Sequence, residues 1–333
     1  MQFDQLKKRE FITLLGGAAS AWSFAARAQQ GSAMQRIGVL MQYAENDPEA
    51  QIRAKALEEA LQKLGWTKGG NLRIDYRWVG AESGRFQLYA ADLVRLNEEA
   101  IIAVSSPAVR ALQHESHAIP IVFTQVSDPV GQGIIKNMAR PGGNITGFTN
   151  YDPEIGGKWL ELLKEAAPNL TRAAIVFNPR TAPYTALYVR AIEAVAPLIA
   201  VKVATSPVHD DAEIESAFAK HAREQGSGLI VMTDTFTSAH RKRIVELAAR
   251  FALPAIYPYR YYVADGGLMS YGIEQVEQIR GAAGYVDRIL KCEKAGDLPV
   301  QAPTKFRLTI NVKTAKALNV PPTLLARADE VIE

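Results

Sequence analysis

From residue 36 onward, short apolar runs alternate with longer stretches in which apolar residues recur every three or four positions. The runs at 36–41, 100–104 and 120–124 read as buried strands. At 72–78, Leu72, Ile74, Tyr76 and Trp78 alternate with Arg73, Asp75 and Arg77, the period of a half-buried strand. Between them, 48–64 places Ile52, Leu57, Leu61 and Leu64 on one helical face, 84–96 reads as a second helix, and a third begins near Pro107. A second series repeats the rhythm: helices at 156–166, 182–196, 211–225 and 238–251, and strands at 173–177, 200–204, 228–232 and 254–256. A strand at 267–271, a long helix at 275–292, a strand at 306–310 and a short helix at 314–318 complete the pattern. Strand–helix alternation of this kind predicts an α/β chain whose parallel sheets are covered by helices.

Two series imply two lobes, and 333 residues suit two domains. The turn-rich stretch Arg140-Pro141-Gly142-Gly143-Asn144 is placed to separate them. The segment after Tyr262 holds more strand–helix units than a terminal cap needs, so it is expected to serve both lobes and to supply several hinge strands.

The N-terminus adds an address. Lys7-Lys8-Arg9 precedes an apolar, small-residue run from Phe11 to Phe24, and Ala26-Arg27-Ala28 has the small-x-small form of a cleavage site. Residues 1–28 therefore read as a signal peptide cleaved near Ala28-Gln29, which directs the mature protein to the periplasm. Its apolar run is shorter than the roughly 20 residues of a membrane span. Lys8-Arg9-Glu10-Phe11-Ile12 resembles a twin-arginine export signal with one arginine replaced, so both export routes stay open.

Charge narrows the function. Lys plus Arg number 38 against 35 acidic residues, and the first 28 residues hold four of the bases and two of the acids, which leaves 34 against 33. A body this close to neutral has no basic face for phosphates, and nucleic acid is excluded as a partner. Arg241-Lys242-Arg243 reads as solvated surface at a helix start. The single cysteine, Cys292, allows no internal disulfide and lies far from any lipid-attachment position.

In open parallel sheets, ligands bind beyond the carboxyl ends of the strands, where helix N-termini present free N–H groups. The residues at those ends are Gln42 and Tyr43, then Ser105 and Ser106, then Ser127 and Asp128. In the second series they are Asn178 with Tyr184 close behind, Asp234 and Phe236, and a run of four tyrosines from Tyr257 to Tyr262. They are polar and aromatic with few charges, which suits a small, partly apolar solute. Ser106 before Pro107 has the form of an N-cap whose exposed N–H groups could hold a carboxylate, or simply begin its own helix. Asp128 and Asp234 are candidates for a ligand ammonium. Asp128-Pro129 is equally a turn element and Asp234 equally an N-cap. Within the tyrosine run, Tyr259 and Tyr262 are the candidates for stacking on an aromatic ligand.

Catalytic signatures are missing. The sequence has no Gly-x-Ser-x-Gly elbow, phosphate-binding loop or dinucleotide fingerprint, and Gly131-Gln132-Gly133 lacks the third glycine. His114 and His117 lack a clear third ligand, so no metal site is expected. No enzyme activity and no cofactor are expected.

Several stretches, taken together, identify a family. They are Lys8 through Ala19; Ile119-Pro120-Ile121-Val122-Phe123 through Asp128-Pro129-Val130; and Arg140-Pro141-Gly142-Gly143-Asn144-Ile145-Thr146-Gly147. Gly267-Leu268-Met269-Ser270-Tyr271-Gly272 and Asn311-Val312-Lys313-Thr314-Ala315-Lys316-Ala317-Leu318 add to them. Across essentially its whole length the chain resembles the ABC-transporter substrate-binding proteins related to the tryptophan/tyrosine-type binding protein. The resemblance implies a type I periplasmic-binding-protein architecture: two Rossmann-like lobes, three hinge crossings and a ligand cleft between the lobes. On that basis residues 35–147 plus 267–303 are assigned to the N-lobe, and 148–266 plus 304–333 to the C-lobe. It also implies that loop hydroxyls and amides hold a carboxylate, an acidic residue an amine, and aromatics a side chain. Ser105, Ser106, Ser127, Asp128, Thr149, Asn178, Asp234 and Tyr271 occupy matching loops. The expected function is capture of a small carboxylate-bearing organic solute, an aromatic compound or an amino acid, by a monomer that delivers it to an inner-membrane ABC permease. The same cleft would also serve a ligand-sensing module of a signalling system.

Overall fold

The computed structural model describes residues 34–333, and the expected signal peptide lies outside them. Two sheets organise the chain. The first has five strands, all parallel: β1 (Gln35–Met41), β2 (Leu72–Trp78), β3 (Ala100–Val104), β4 (Ile121–Val126) and β5 (Ile145–Thr149), in the order β2-β1-β3-β4-β5. Register puts Val39 beside Ile102 and Ile102 beside Val122.

Because successive side chains point to opposite faces, this sheet needs cover on both. Val39, Ile102 and Val122 belong to one core, with Leu57 and Leu61 of α1 (Pro48–Lys63) and Ile279, Ala283 and Val286 of a late helix, Gln275–Leu290. Leu40, Ile101 and Phe123 face the other way. They pack on Phe86, Ala90 and Leu93 of α2 (Arg85–Arg95) and Val109 and Leu112 of α3 (Ser106–Glu115).

The second sheet has seven strands. They are β6 (Arg172–Phe177), β7 (Lys202–Pro207), β8 (Ser227–Val231), β9 (Ala255–Tyr257), β10 (Met269–Gly272), β11 (Arg307–Asn311) and β12 (Glu330–Ile332), ordered β12-β11-β10-β9-β8-β6-β7. All pairs are parallel except β10 with β11. Its helices are α4 (Ile155–Ala166), α5 (Thr185–Val195), α6 (Asp211–Ala222), α7 (Thr235–Ala239), α8 (Arg241–Arg250) and α9 (Arg260–Ala264). The long helix Gln275–Leu290 is α10, and α11 (Val312–Ala317) and α12 (Pro322–Leu325) lie in the tail. The α/β class and the two parallel-sheet lobes are as the strand–helix rhythm predicts.

The chain passes between the sheets three times: after β5, between β10 and α10, and at residues 302–306 before β11. Two details depart from the sequence reading. The strand near 267–271 is expected in the first lobe, but β10 pairs with β9 and β11 and so lies in the second sheet; α10 and the segment through Gln301 return to the first. The turn at 140–144 does not divide the lobes, because it precedes a further first-lobe strand, β5, which is too short and polar to show a period. Gly272 is required at the return crossing. A Cβ there would run into the Pro258 carbonyl oxygen and the Tyr151 hydroxyl.

Candidate functional site

The carboxyl ends of both sheets face each other, and the loops there are unusually constrained. Ser105, Gln125 and Asp128 all have positive φ (114°, 57° and 43°), a conformation that is costly for non-glycine residues and that clusters at ligand sites. Each has a visible hold. The Ser105 hydroxyl accepts from Ala108 N at 3.4 Å as the N-cap of α3. The cap is therefore Ser105 rather than Ser106, whose hydroxyl instead accepts from Gln132 Nε2 at 3.1 Å. Asp128 Oδ1 accepts from Gly131 N at 2.8 Å, closing a turn into which a side chain at Gly131 would collide.

At the centre lies a polar cluster drawn from both lobes. Gln42 Nε2 and Tyr43 OH donate to Gln125 Oε1 at 2.8 and 3.1 Å. Across the junction, Asn150 Nδ2 donates to Thr233 Oγ1 at 3.0 Å and to Tyr259 OH at 2.7 Å. Tyr184 OH donates to the Thr233 carbonyl at 2.6 Å. Around these groups stand Tyr151, stacked with Tyr259 at 6.0 Å, and Tyr188, stacked on Trp159 at 5.7 Å. Burial raises the pKa of Tyr188 well above the phenol range, and the adjacent Ser127 hydroxyl offsets part of the rise. Two buried polar atoms here meet no hydrogen-bond partner, Gln125 Nε2 and Asn150 Oδ1, and Ser127 Oγ meets none but the neighbouring Tyr188 hydroxyl. An unmet buried donor or acceptor costs about 1–3 kcal/mol, so such atoms at a lobe junction mark where a guest would be held. Farther out, a cavity of about 520 Å³ opens between Gly80, Ala81 and Phe86 of the first lobe and Asn178, Thr235 and Phe236 of the second.

The geometry sorts the other residues named from sequence. Asp234 is fully engaged: Oδ2 accepts from Asn178 N at 2.8 Å, and Oδ1 accepts from Phe236 N at 3.0 Å and from the Thr181 hydroxyl. It caps α7 and ties down the 178–181 loop; burial pushes its pKa up to about 6 despite these donors. Asn178 Oδ1 accepts from Arg180 N, and Thr149 Oγ1 donates to Val126 O, so both are already engaged locally. Phe236 lines the outer cavity and meets the His240 ring at a tilt, 4.2 Å between centroids. Tyr262 is fully buried, stacked on Tyr257 and bonded to Thr237 within the second lobe. Tyr271 stands at the hinge against Phe306. Asn150, Tyr151 and Tyr188 were missed, and Thr233, at the end of β8, was passed over for its neighbours Asp234 and Phe236. Asn150 and Tyr151 lie on the first crossing, not at a strand end, and Tyr188 is one turn inside a helix.

The family model for ABC transporter substrate binding proteins matches residues 37–332. The chain belongs to that family. Among relatives of this substrate-binding protein, a tyrosine-binding protein of Clostridioides difficile (strain R20291) is 26% identical over 266 residues, spanning 80% of this chain and 76% of the relative. A conserved domain protein of Vibrio cholerae superposes with a TM-score of 0.82 at 26% identity, covering 90% of this chain and 99% of the other. An ABC domain of Streptococcus pneumoniae, in complex with L-Trp, superposes at 0.81 with 23% identity and the same coverage. The last shares its fold with this substrate-binding protein, which confirms the type I periplasmic-binding architecture. Among the described residues, no helix of the substrate-binding protein is long and apolar enough to cross a membrane.

Proposed function

We propose that this protein is the extracytoplasmic solute-binding component of an ABC importer. It captures an aromatic amino acid or a closely similar carboxylate-bearing solute by hinge closure and presents it to the permease. One observation carries the reading: Gln125 Nε2 and Asn150 Oδ1 lie buried and unpartnered where the lobes meet, together with a Ser127 hydroxyl that reaches only Tyr188, and Tyr151, Tyr184, Tyr188 and Tyr259 are buried at the same junction. A donor amide, a hydroxyl and an acceptor carbonyl can satisfy a zwitterion's carboxylate and ammonium, and the tyrosines offer faces to an aromatic side chain. The names of the C. difficile and S. pneumoniae relatives, with tyrosine and L-Trp, favour that solute class. With Asp234 held by its own loop, the ammonium is assigned to Asn150 Oδ1 and neighbouring hydroxyls rather than to a carboxylate.

Closure supplies the mechanism. Ligand contacts from both lobes stabilise the closed arrangement, which the permease then recognises. Binding the native state alone raises its melting temperature. L-tryptophan and L-tyrosine, tested beside aromatic and aliphatic organic acids, are expected to raise the melting temperature in a saturable manner. No response to any of them would overturn the assignment.

A further inference from the structure

The two lobes also meet through an ion pair outside the polar cluster, joined to it through Tyr261, whose ring meets those of Tyr43 and Tyr259. Arg241, at the start of α8 in the second lobe, grips Asp47, the N-cap of α1 in the first. Nη1 lies 2.7 Å from Oδ2 and Nη2 lies 2.9 Å from Oδ1. The fork is two-pronged and its side chains are only 7% and 13% exposed, so solvent screens it little. Each half is held in place by its own lobe. Arg241 Nε donates to Asp265 Oδ2 at 2.9 Å, and its guanidinium stands 5.3 Å from the ring of Tyr261, which bonds Ser238. Asp47 Oδ1 accepts from Glu49 N at 2.9 Å. Beside the fork, Tyr261 meets the edge of first-lobe Tyr43 at 6.4 Å and the guanidinium of buried Arg53 at 5.8 Å.

We propose that the Arg241–Asp47 fork is a closure latch that draws the lobes together without ligand, and so sets affinity while leaving selectivity to the central cluster. The inference rests on the hinge-closing reading above. Asp47 follows β1, three strands from β5, where the chain crosses, and Arg241 follows β8, two strands from β10. Each strand step adds about 4.8 Å of lever, so opening at the hinge pulls the carboxylate out of the fork. The apparent dissociation constant is the intrinsic one divided by the closed fraction. A latch that raises that fraction therefore tightens every ligand by one common factor.

Asp47→Asn is the decisive variant, because asparagine caps a helix as well as aspartate does while removing the charge that Arg241 grips. Small-angle scattering of the ligand-free protein is expected to show a larger radius of gyration for D47N and R241Q than for wild type. Calorimetric titration with L-tryptophan and L-tyrosine is expected to weaken by the same factor for each, about tenfold or more, with far-ultraviolet circular dichroism unchanged. Identical ligand-free scattering in wild type and D47N would overturn the latch, as would affinities that shift for one amino acid and not the other. If neither amino acid binds wild type, the solute assignment fails, and the scattering comparison still decides the latch.

Discussion

Gln278 of α10 holds the backbone of Gln125 from across the first sheet: its Oε1 accepts from Gln125 N at 3.0 Å, while its Nε2 donates to Thr149 O at 2.7 Å. One side-chain amide thus fixes the strained residue that carries a central polar group and the last strand before the crossing. The partners stand 153 positions apart in the sequence, yet the second crossing brings α10 back to the first sheet to make this contact.

Gln278→Ala leaves two buried backbone groups unmet, at a cost of about 1–3 kcal/mol each. The variant is expected to melt several degrees lower than wild type in scanning calorimetry and to bind more weakly. An unchanged melting temperature would show that water or a neighbour replaces the amide.

Ser127→Ala separates binding from folding. Its hydroxyl meets nothing in the protein but the Tyr188 hydroxyl, so removing it should change ligand-free stability little. Affinity for the bound amino acid is expected to fall about tenfold, the loss of about 1.4 kcal/mol. A loss of ligand-free stability without a loss of affinity would assign Ser127 to packing.

Glu98 gives the protein a pH dependence far from the cleft. Burial, followed by the nearby Asp75 carboxylate, raises its pKa to about 7 from an ordinary 4.5, with Arg36 opposing. The folded state holds a proton that the unfolded chain has released, so stability is greatest at low pH and declines as pH climbs from 4.5 toward 7. Glu98→Gln removes this term, and its melting temperature between those pH values should fall less steeply than that of wild type. Parallel slopes would contradict the assignment.

Gly272→Ala places a methyl group against the Pro258 carbonyl and the Tyr151 hydroxyl at the return crossing. Overpacking of this kind costs about 1–3 kcal/mol. Because Tyr151 borders the central cluster, the variant is expected both to melt lower and to bind more weakly in titration calorimetry. Unaltered affinity would detach the crossing from the site.

Much of this was legible in the sequence, for definite reasons. Strands such as Ala100–Val104 are buried on both faces and announce themselves as unbroken apolar runs. The strand-end rule brought Gln42, Tyr43, Ser127, Tyr184 and Tyr259 to the junction. It left two readings open for Asp234, since local capping and ligand binding ask for the same residue type, and the structure shows the cap. It was silent on Asn150, Arg53 and Arg241, whose roles arise from contacts between elements that no periodicity connects; Arg241-Lys242-Arg243 read as surface, and only folding buries the first of the three.

The long helix that returns from the second sheet to the first has a consequence for how the protein comes into being. Until residues 275–290 are made, the sheet of residues 34–149 has only Leu57 and Leu61 of α1 to share the core with Val39, Ile102 and Val122, and lacks the cover of Ile279, Ala283 and Val286. The earlier-made lobe is therefore finished only after most of the later one has been synthesised, and for that interval its uncovered apolar face is exposed to chaperones and to self-association.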